Sequence, residues 1–116
     1  MTNIVIEGGD EMVRAIRNRF NHDKVARVVK RNTAQAQQKA MRIVPVAKKN
    51  GGTLKRSITM RVDVTGLAGY ITAGAYYGPY VEYGTRKMDA QPFMRPAARE
   101  QAPIFLSDLR NLIRKG

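Results

Sequence analysis

The feature that most constrains the fold is a helical apolar repeat at residues 23–44, bounded by a helix-starting and a helix-ending signal. Asp23 is a good N-cap residue, and Pro45 disfavours helical backbone in the residue before it. At 100° per residue, apolar side chains fall on one side of this helix and basic or amide side chains on the other. The sequence therefore predicts a long amphipathic helix, whose later turns carry alanines that allow a sheet or a second subunit to approach closely. Its apolar face consists of Val25, Val29, Ala36, Ala40 and Ile43.

Strand patterns occur on both sides of this helix. Residues 57–64 alternate between apolar and polar side chains, which is typical of a half-buried strand. After a turn at residues 65–69, residues 70–75 can return as the second strand of a hairpin. The apolar stretch at residues 3–7 predicts an edge strand, and a short helix is expected over about residues 11–20. The inward face of the first hairpin strand is expected to hold Ile58, Met60, Val62 and Val64.

A third apolar repeat predicts a C-terminal helix. Pro103 interrupts this repeat, and an interior proline removes a backbone donor and clashes with the preceding turn. We therefore expect the regular helix to begin near Pro103. Together the patterns predict a single α+β domain over residues 1–116, with a small antiparallel sheet packed against the long basic helix and further helices at both ends. The C-terminal repeat consists of Ala98, Ala102, Phe105, Leu109 and Leu112.

Positive charge is concentrated in one part of the chain. The formal net charge is +12, and no acidic residue lies between Asp23 and Asp63, whereas eleven lysines and arginines do. Such a run is either a solvated helix face or a surface held close to nucleic acid or to an acidic protein. The residues predicted to face DNA or a partner are Arg27, Lys30, Arg31, Arg42, Lys48, Lys49, Lys55 and Arg56.

Composition argues against most enzyme classes. The chain has no cysteine and one histidine, which excludes disulfides, thiolate metal sites, a cysteine nucleophile and any site with two imidazoles. No stretch of eighteen apolar residues could span a bilayer. The glycine-rich loop at residues 45–52 lacks the Walker pattern. We expect no catalytic residue, no cofactor and no metal.

Four of the five tyrosines crowd into residues 76–83, around Glu82. Aromatic rings beside cations can form a base-stacking platform, but the neighbouring glycines and proline favour a compact turn with rings that pack locally or against another subunit. Glu82 could act as a general base; a structural acid satisfied by an arginine or by backbone amides is the preferred interpretation, with Arg95 as its partner. Pro92 and Pro96 stiffen the chain between them and present Phe93 as an anchor.

The same segment resembles a known family. Its residues read YGPYVEYGT at 77–85 and PFMRPA at 92–97, preceded by VPV at 44–46 and GTLKRSI at 52–58. This order is similar to that of small morphogenesis proteins of tailed bacteriophages, the tail-completion or head–tail joining proteins. The resemblance covers about residues 40–100. Two features depart from the family pattern, namely the extra residues at 47–52 and Pro103. The motif residues are Tyr77, Tyr80, Glu82, Tyr83, Gly84, Thr85, Pro92, Phe93, Arg95 and Pro96.

The resemblance implies a structural virion protein of the head–tail junction, assembled in the host cytoplasm. Its expected partners are phage connector and tail proteins and further copies of itself in a ring, with phage DNA passing nearby without being read and no membrane contact. Two other functions stay open. A small basic nucleic-acid-binding module would share the charge and the tyrosines, and a ribonuclease-type toxin would need Glu82 as an acid or base near cations.

Overall fold

The computed structural model describes residues 2–7, 22–45, 52–75 and 77–115. The predicted helix over residues 11–20 and the lysines of the glycine-rich loop, Lys48 and Lys49, lie outside these ranges. Three strands and four helices are described, and they confirm the predicted α+β class. In chain order they are β1 (Thr2–Glu7), α1 (His22–Ile43), α2 (Thr53–Arg56), β2 (Ile58–Val62), β3 (Ala68–Ala73), α3 (Gly78–Tyr83) and α4 (Met94–Lys115).

The three strands form one antiparallel sheet in the order β1-β3-β2. Ile4 pairs with Ile71 and Met60 pairs with the same residue from the other side, so β3 is the central strand. The predicted edge strand at residues 3–7 is confirmed, since β1 lies at one border of this sheet. In β3 the alternate residues Gly69, Ile71 and Ala73 are buried, and they form the face on which the helices pack.

The hairpin turn begins earlier than the alternation predicted. β2 ends at Val62, and Val64, predicted to point inwards, is fully exposed in the turn. Asp63 causes this difference: its carboxylate accepts hydrogen bonds from the Val64 amide at 2.8 Å and from the Thr65 hydroxyl at 3.1 Å. A side chain that bonds its own following backbone favours a turn over a strand. Gly66 then adopts a positive φ of 77°, and β3 starts at Ala68, not at residue 70.

Helix α1 matches the predicted long helix and packs against both the sheet and α4. Val25, Val29, Ala36 and Ala40 are fully buried, as predicted for the apolar face, and Ile43 is half-buried. The sequence left open whether a sheet or a second subunit approaches the alanines of the later turns. These alanines are buried against the sheet and α4 of the same chain. Helix α4 also runs beside β1, so the core is enclosed by one sheet face and two long helices.

Helix α4 is continuous through Pro103, so the prediction of a helix beginning near this proline is wrong. Pro103 is exposed, and water can hydrate the carbonyl group that lacks an amide partner. The longer helix also changes the buried stripe: Ala97 and Gln101 are fully buried, whereas Ala98 is half-buried and Ala102 is exposed. Phe105 and Leu109 are buried as predicted.

A polar cluster joins α1 to α4 inside this apolar contact. The Gln101 amide donates to Asn32 Oδ1 at 2.5 Å and to Gln35 Oε1 at 2.8 Å, and its own carbonyl accepts from Lys39 Nζ. Asn32 in turn donates to the Asp108 carboxylate at 2.9 Å. Because an unpaired buried polar group is costly, this cluster fixes how far one helix can slide along the other.

The closest approach of α1 to the sheet occurs at Gly69. A Cβ atom added to Gly69 would overlap Thr33 Oγ1 and would lie 2.9 Å from Thr33 Cβ. Thr33 cannot swing aside freely, because its hydroxyl donates to the Val29 carbonyl at 2.7 Å. The absence of a side chain at Gly69 therefore sets the distance between helix and sheet.

We predict that Gly69→Ala lowers the free energy of unfolding by about 1–3 kcal/mol, as overpacked cores typically do. Thr33→Ala in the same chain should recover part of this loss, since it removes the overlapping hydroxyl. Chemical denaturation of the two single variants and the double variant measures the coupling. Additive effects would show that the helix and sheet are not in contact at this point.

Candidate functional site

Helix α3 places the motif residues on two opposite faces. Pro79 in its first turn is suited to a helix start, because its missing N–H would be unpaired there anyway. Gly78 and Glu82 are buried on the inner face. Tyr80 and Tyr83, three residues apart, share the outer face and are 54% and 60% exposed. The short helix is thus held from beneath and shows two tyrosines to solvent.

The Glu82 carboxylate binds the start of α4. Oε1 accepts hydrogen bonds from the backbone amides of Phe93 at 3.0 Å and Met94 at 2.8 Å, and Oε2 accepts one from the amide of Arg95 at 3.3 Å. The Arg95 Nε atom adds an ion pair to Oε2 at 2.9 Å. These amides belong to the first turn of a helix, where N–H groups lack intrahelical partners and favour an anion. The predicted pairing of Glu82 with Arg95 and backbone amides is confirmed.

These contacts also set the charge state of Glu82. Burial alone would raise the pKa of this carboxyl, but the amides of Met94 and Phe93 and the Arg95 side chain favour the ionised form more strongly. The pKa of Glu82 therefore lies below its ordinary value of 4.5. Both oxygens are occupied by donors, so the carboxylate stabilises the fold and has little capacity left to take a proton from a substrate.

The contacts of the Glu82 carboxylate with the start of α4 are named here the clamp. Arg95 connects this clamp to the surface of the protein. Its guanidinium lies 4.9 Å from the centre of the Tyr83 ring, while Nη2 donates to the Glu82 carbonyl at 3.3 Å. Nearly half of the Arg95 side chain stays exposed. A stacked guanidinium that is also paired with a buried acid has little rotational freedom.

Gly84 allows the chain to leave α3 and fold back on itself. Its φ of 80° is positive and its ψ of 173° is extended, a combination that L side chains rarely adopt. A Cβ atom here would lie 2.8 Å from the Ala90 amide nitrogen and 3.0 Å from the Met88 carbonyl oxygen. Thr85 closes a turn with Met88, and its hydroxyl accepts a hydrogen bond from the Lys87 amide at 3.3 Å.

The proline-flanked segment anchors this loop. Phe93, between the half-buried Pro92 and the helical Met94, is fully buried, as expected of an anchor. The Gln91 amide donates to the Val81 carbonyl at 2.8 Å, which ties the end of the loop to α3. Pro96 is half-buried in the first turn of α4, where a proline is tolerated.

The predicted partner-facing cations separate into two groups. Arg27, Lys30, Arg31 and Arg42 are exposed on α1, opposite its buried face, and Lys55 and Arg56 are exposed on the short α2. Arg31 is already engaged, since its guanidinium lies 3.2 Å from the Asp108 carboxylate.

The basic helix and the motif meet at one place. Arg42 and Ile43 at the end of α1 line an open hollow together with Pro96, Arg99 and Glu100 of α4. Arg99 and the Gln101 cluster were not predicted, because the last helix was expected to begin near Pro103 and begins at Met94. Proline is tolerated in the first turn of a helix, so Pro96 was a signal in the sequence that the last helix could begin at Met94.

Within the described ranges, no three histidine, aspartate or glutamate side chains lie together in a way that could hold a metal ion. None of the described helices is long and apolar enough to cross a bilayer. The described surface is instead rich in exposed cations and tyrosines, which suits binding to other macromolecules.

The described chain thus combines a small α+β fold with a loop that Glu82 holds between two helices. The model of one protein family, described as "Bacteriophage HK97-gp10, putative tail-component", matches the chain over residues 7–84. The match covers about two-thirds of the sequence, and the chain belongs to this family of phage tail components. Neither curated proteins nor solved structures gave a significant match.

The family match confirms the resemblance drawn from the sequence and assigns the protein to the phage virion as a tail-related structural component. It begins at Glu7, the last residue of β1, includes α1, α2, the hairpin and α3, and ends at Gly84. The loop from Thr85 and helix α4 with its PFMRPA motif lie beyond it. The Glu82 clamp therefore joins the matched part of the chain to the part that follows.

We predict that Glu82→Gln destabilises the protein by about 2–4 kcal/mol, because it leaves buried amides and Arg95 without their ionic acceptor. Asp89→Asn removes an exposed acid from the neighbouring loop and should change stability by less than about 0.5 kcal/mol. Urea unfolding at neutral pH measures both. Equal stabilities of the two variants would mean that the clamp does not hold the fold together.

The lowered pKa of Glu82 also predicts a pH dependence. Its contribution to stability should be complete above its ordinary pKa of 4.5 and should be lost as the pH falls through the lower pKa of the folded state. In Glu82→Gln this part of the acid destabilisation should be missing. Thermal melts of both proteins between pH 7 and the acid limit check the difference; parallel curves would contradict it.

We predict that Phe93→Ala lowers the free energy of unfolding by about 3–5 kcal/mol, as expected when a fully buried ring is removed. Val64→Ala is the matched control, because that apolar side chain is fully exposed, and it should have almost no effect. Both are measured by chemical denaturation. A small loss for Phe93→Ala would show that the loop is not anchored through this ring.

Proposed function

We propose that this tail component acts at the head–tail junction, as one subunit of a ring around the path of the phage DNA. The observation that carries the proposal is a line of exposed cations along α1, named here the cationic stripe. It consists of Lys24, Arg27, Lys30, Arg31 and Arg42. The proposal extends the family assignment, which supplies a tail-related structural role.

The stripe has the length and exposure expected of a surface near DNA. From Lys24 to Arg42 it extends about 27 Å at the helical rise of 1.5 Å per residue. After Asp23 no acidic residue occurs on this helix. Such a surface contacts phosphate groups. It therefore attracts DNA of any sequence and does not distinguish one base from another. Because Arg31 is paired with Asp108, the attraction is moderate, which suits DNA that must pass through.

The sheet has borders that can serve side-by-side assembly. The Asp63 amide bonds to Ala68 and the Gly74 amide bonds to Ser57, so the intervening alternate residues of β2 point their backbone groups outwards. The Gln37 side-chain amide donates a hydrogen bond to the Ile58 carbonyl on this outer side. Met60 and Val62 have no strand beside them on the same side within the described ranges. β1 and β2 form different borders, so strand pairing between subunits would be head-to-tail, the contact type that closes rings.

The proposed role involves no catalysis. Glu82, the acid that a nuclease would need, is buried and accepts hydrogen bonds on both oxygens. A second candidate function, a small nucleic-acid-binding module, is supported by the same stripe. The two differ in that a module would bind tightly as a monomer with a defined site size, whereas a junction subunit would bind weakly and without sequence preference.

We predict that the isolated protein binds duplex DNA weakly, with a plot of log affinity against log salt whose slope is about −3 to −4, as expected for about four phosphate contacts. Arg27→Gln/Lys30→Gln/Arg42→Gln should remove most of the binding and flatten this slope. Fluorescence anisotropy with unrelated duplex sequences over a salt series measures both.

The matched control is Arg86→Gln/Lys87→Gln/Arg114→Gln, which removes the same charge from exposed positions outside α1. It should retain most of the salt dependence. If both triple variants bind equally, net charge and not the stripe determines binding. If neither weakens binding, the stripe does not face DNA, and an acidic protein becomes its expected partner.

We also predict that the free protein is monomeric or weakly associating at low salt. The apolar stripes of both long helices are buried in one core, so they are not available for a dimer contact. A net charge of +12 also makes copies of the chain repel each other. Added polyanion should promote defined oligomers. Sedimentation velocity over a concentration and salt series tests this, and a tight dimer that is independent of salt would contradict it.

A further inference from the structure

Exposed apolar side chains gather at one place on the described surface. Five large apolar side chains are exposed among the described residues, and two of these, Val64 and Ile104, stand alone. Single exposed apolar residues are common and carry no message. The other three are Tyr80, Tyr83 and Met88, which lie within nine residues of the chain. With Arg95, stacked on Tyr83, they form what we call the tyrosine patch.

The fold makes this patch continuous. Tyr80 and Tyr83 share the outer face of α3, and the chain then turns at Gly84 so that the Met88 carbonyl accepts from the Thr85 amide at 2.8 Å. The turn brings Met88 beside the end of α3. Residues 85–91 are all exposed, and they add the cations Arg86 and Lys87 to its border.

The patch is also rigid. Glu82 binds the underside of α3 to the first turn of α4, and the Gln91 amide bonds to the Val81 carbonyl. Gly78 lies against the core, where an added Cβ atom would come 3.5 Å from Ala73 Cβ and 3.6 Å from Leu54 Cδ1. A surface ordered before binding loses little entropy when a partner arrives.

We propose that the tyrosine patch is a docking surface for a partner protein with an acidic surface. Tyrosine, arginine and methionine are the residue types enriched at protein interfaces, and tyrosine and arginine dominate their energetics. Arg86 and Lys87 would meet carboxylates of the partner around an apolar centre. A second copy of this chain fits this patch less well, because in a symmetric contact Arg86 and Lys87 would face the same cations of the other copy.

Nucleic acid also fits this surface less well than protein. A base-stacking platform needs free ring faces, and Arg95 already covers one face of Tyr83. Arg95 is paired with Glu82, and Asp89 is exposed in the same loop, so the patch has two cations at its border, Arg86 and Lys87, and not the extended cationic groove that follows a nucleic-acid backbone. The patch is distinct from the cationic stripe, and the inference does not rest on the proposed position at the head–tail junction.

The test uses a random-peptide library displayed on yeast, with the full-length protein as bait. Tyr80→Ser/Tyr83→Ser serves as the counter-selection bait, and Val64→Ser/Ile104→Ser is the control with two exposed apolar residues removed elsewhere. All four side chains are exposed, so thermal melts should show that both variants fold as wild type does. Selected peptides are then measured individually by fluorescence anisotropy.

We expect selected peptides to combine aspartate or glutamate with apolar residues. Their affinity should fall about ten-fold or more in the tyrosine variant, as for loss of an interface hot spot, and should be unchanged in the control. Failure to recover peptides that distinguish the two baits overturns the proposal. So does loss of oligothymidylate binding in the tyrosine variant alone, which would assign the patch to nucleic acid, or loss of self-association in that variant alone, which would assign it to a second copy.

Discussion

The Glu82 carboxylate is the contact on which the arrangement of the motif depends. It is fully buried, yet it accepts hydrogen bonds from three backbone amides and from the Arg95 side chain. Its charge is therefore compensated by groups of the protein itself. An ionised acid in this position completes the unpaired first turn of α4 and fixes α3 against it. The loop between the two helices, with its exposed tyrosines, has its shape because both of its ends are held by this one group.

The clamp also explains how the two halves of the molecule act together. The matched family region ends at Gly84, and the helix that completes the core begins at Met94. Helix α4 packs along α1, and Gln101 and Asn32 fix their relative position. The contacts of Glu82 and this polar cluster therefore connect α3 to α1 through α4.

The two surfaces of the protein differ in chemistry and suit different neighbours. The cationic stripe of α1 is extended and polar, which suits the proposed contact with the phosphates of DNA. The tyrosine patch is compact, amphipathic and rigid, which fits a protein. The hollow lined by Arg42, Pro96 and Arg99 lies where the end of α1 approaches the start of α4. The proposed DNA contact and the proposed protein contact would therefore use separate surfaces.

The sequence alone determined the features that depend on local spacing. The apolar period of residues 23–44 predicted α1 almost to the residue, and the alternation around Met60 predicted β2, because side-chain direction follows directly from helix and strand geometry. The motif predicted the pairing of Glu82 with Arg95 and the neighbouring amides, since a buried acid among aromatic residues needs donors nearby.

Only the tertiary structure decided features that depend on which neighbour is present. Pro103 was expected to begin the last helix, but its exposed position lets α4 continue, and Gln101 is buried because α1 supplies its hydrogen-bond partners. Asp63 ended a strand that alternation would have prolonged to Val64. The exposure of Pro103 and the burial of Gln101 both depend on which distant element lies beside them, which spacing along the chain does not record. At Asp63 a local hydrogen bond to the following amide outweighed the alternating pattern.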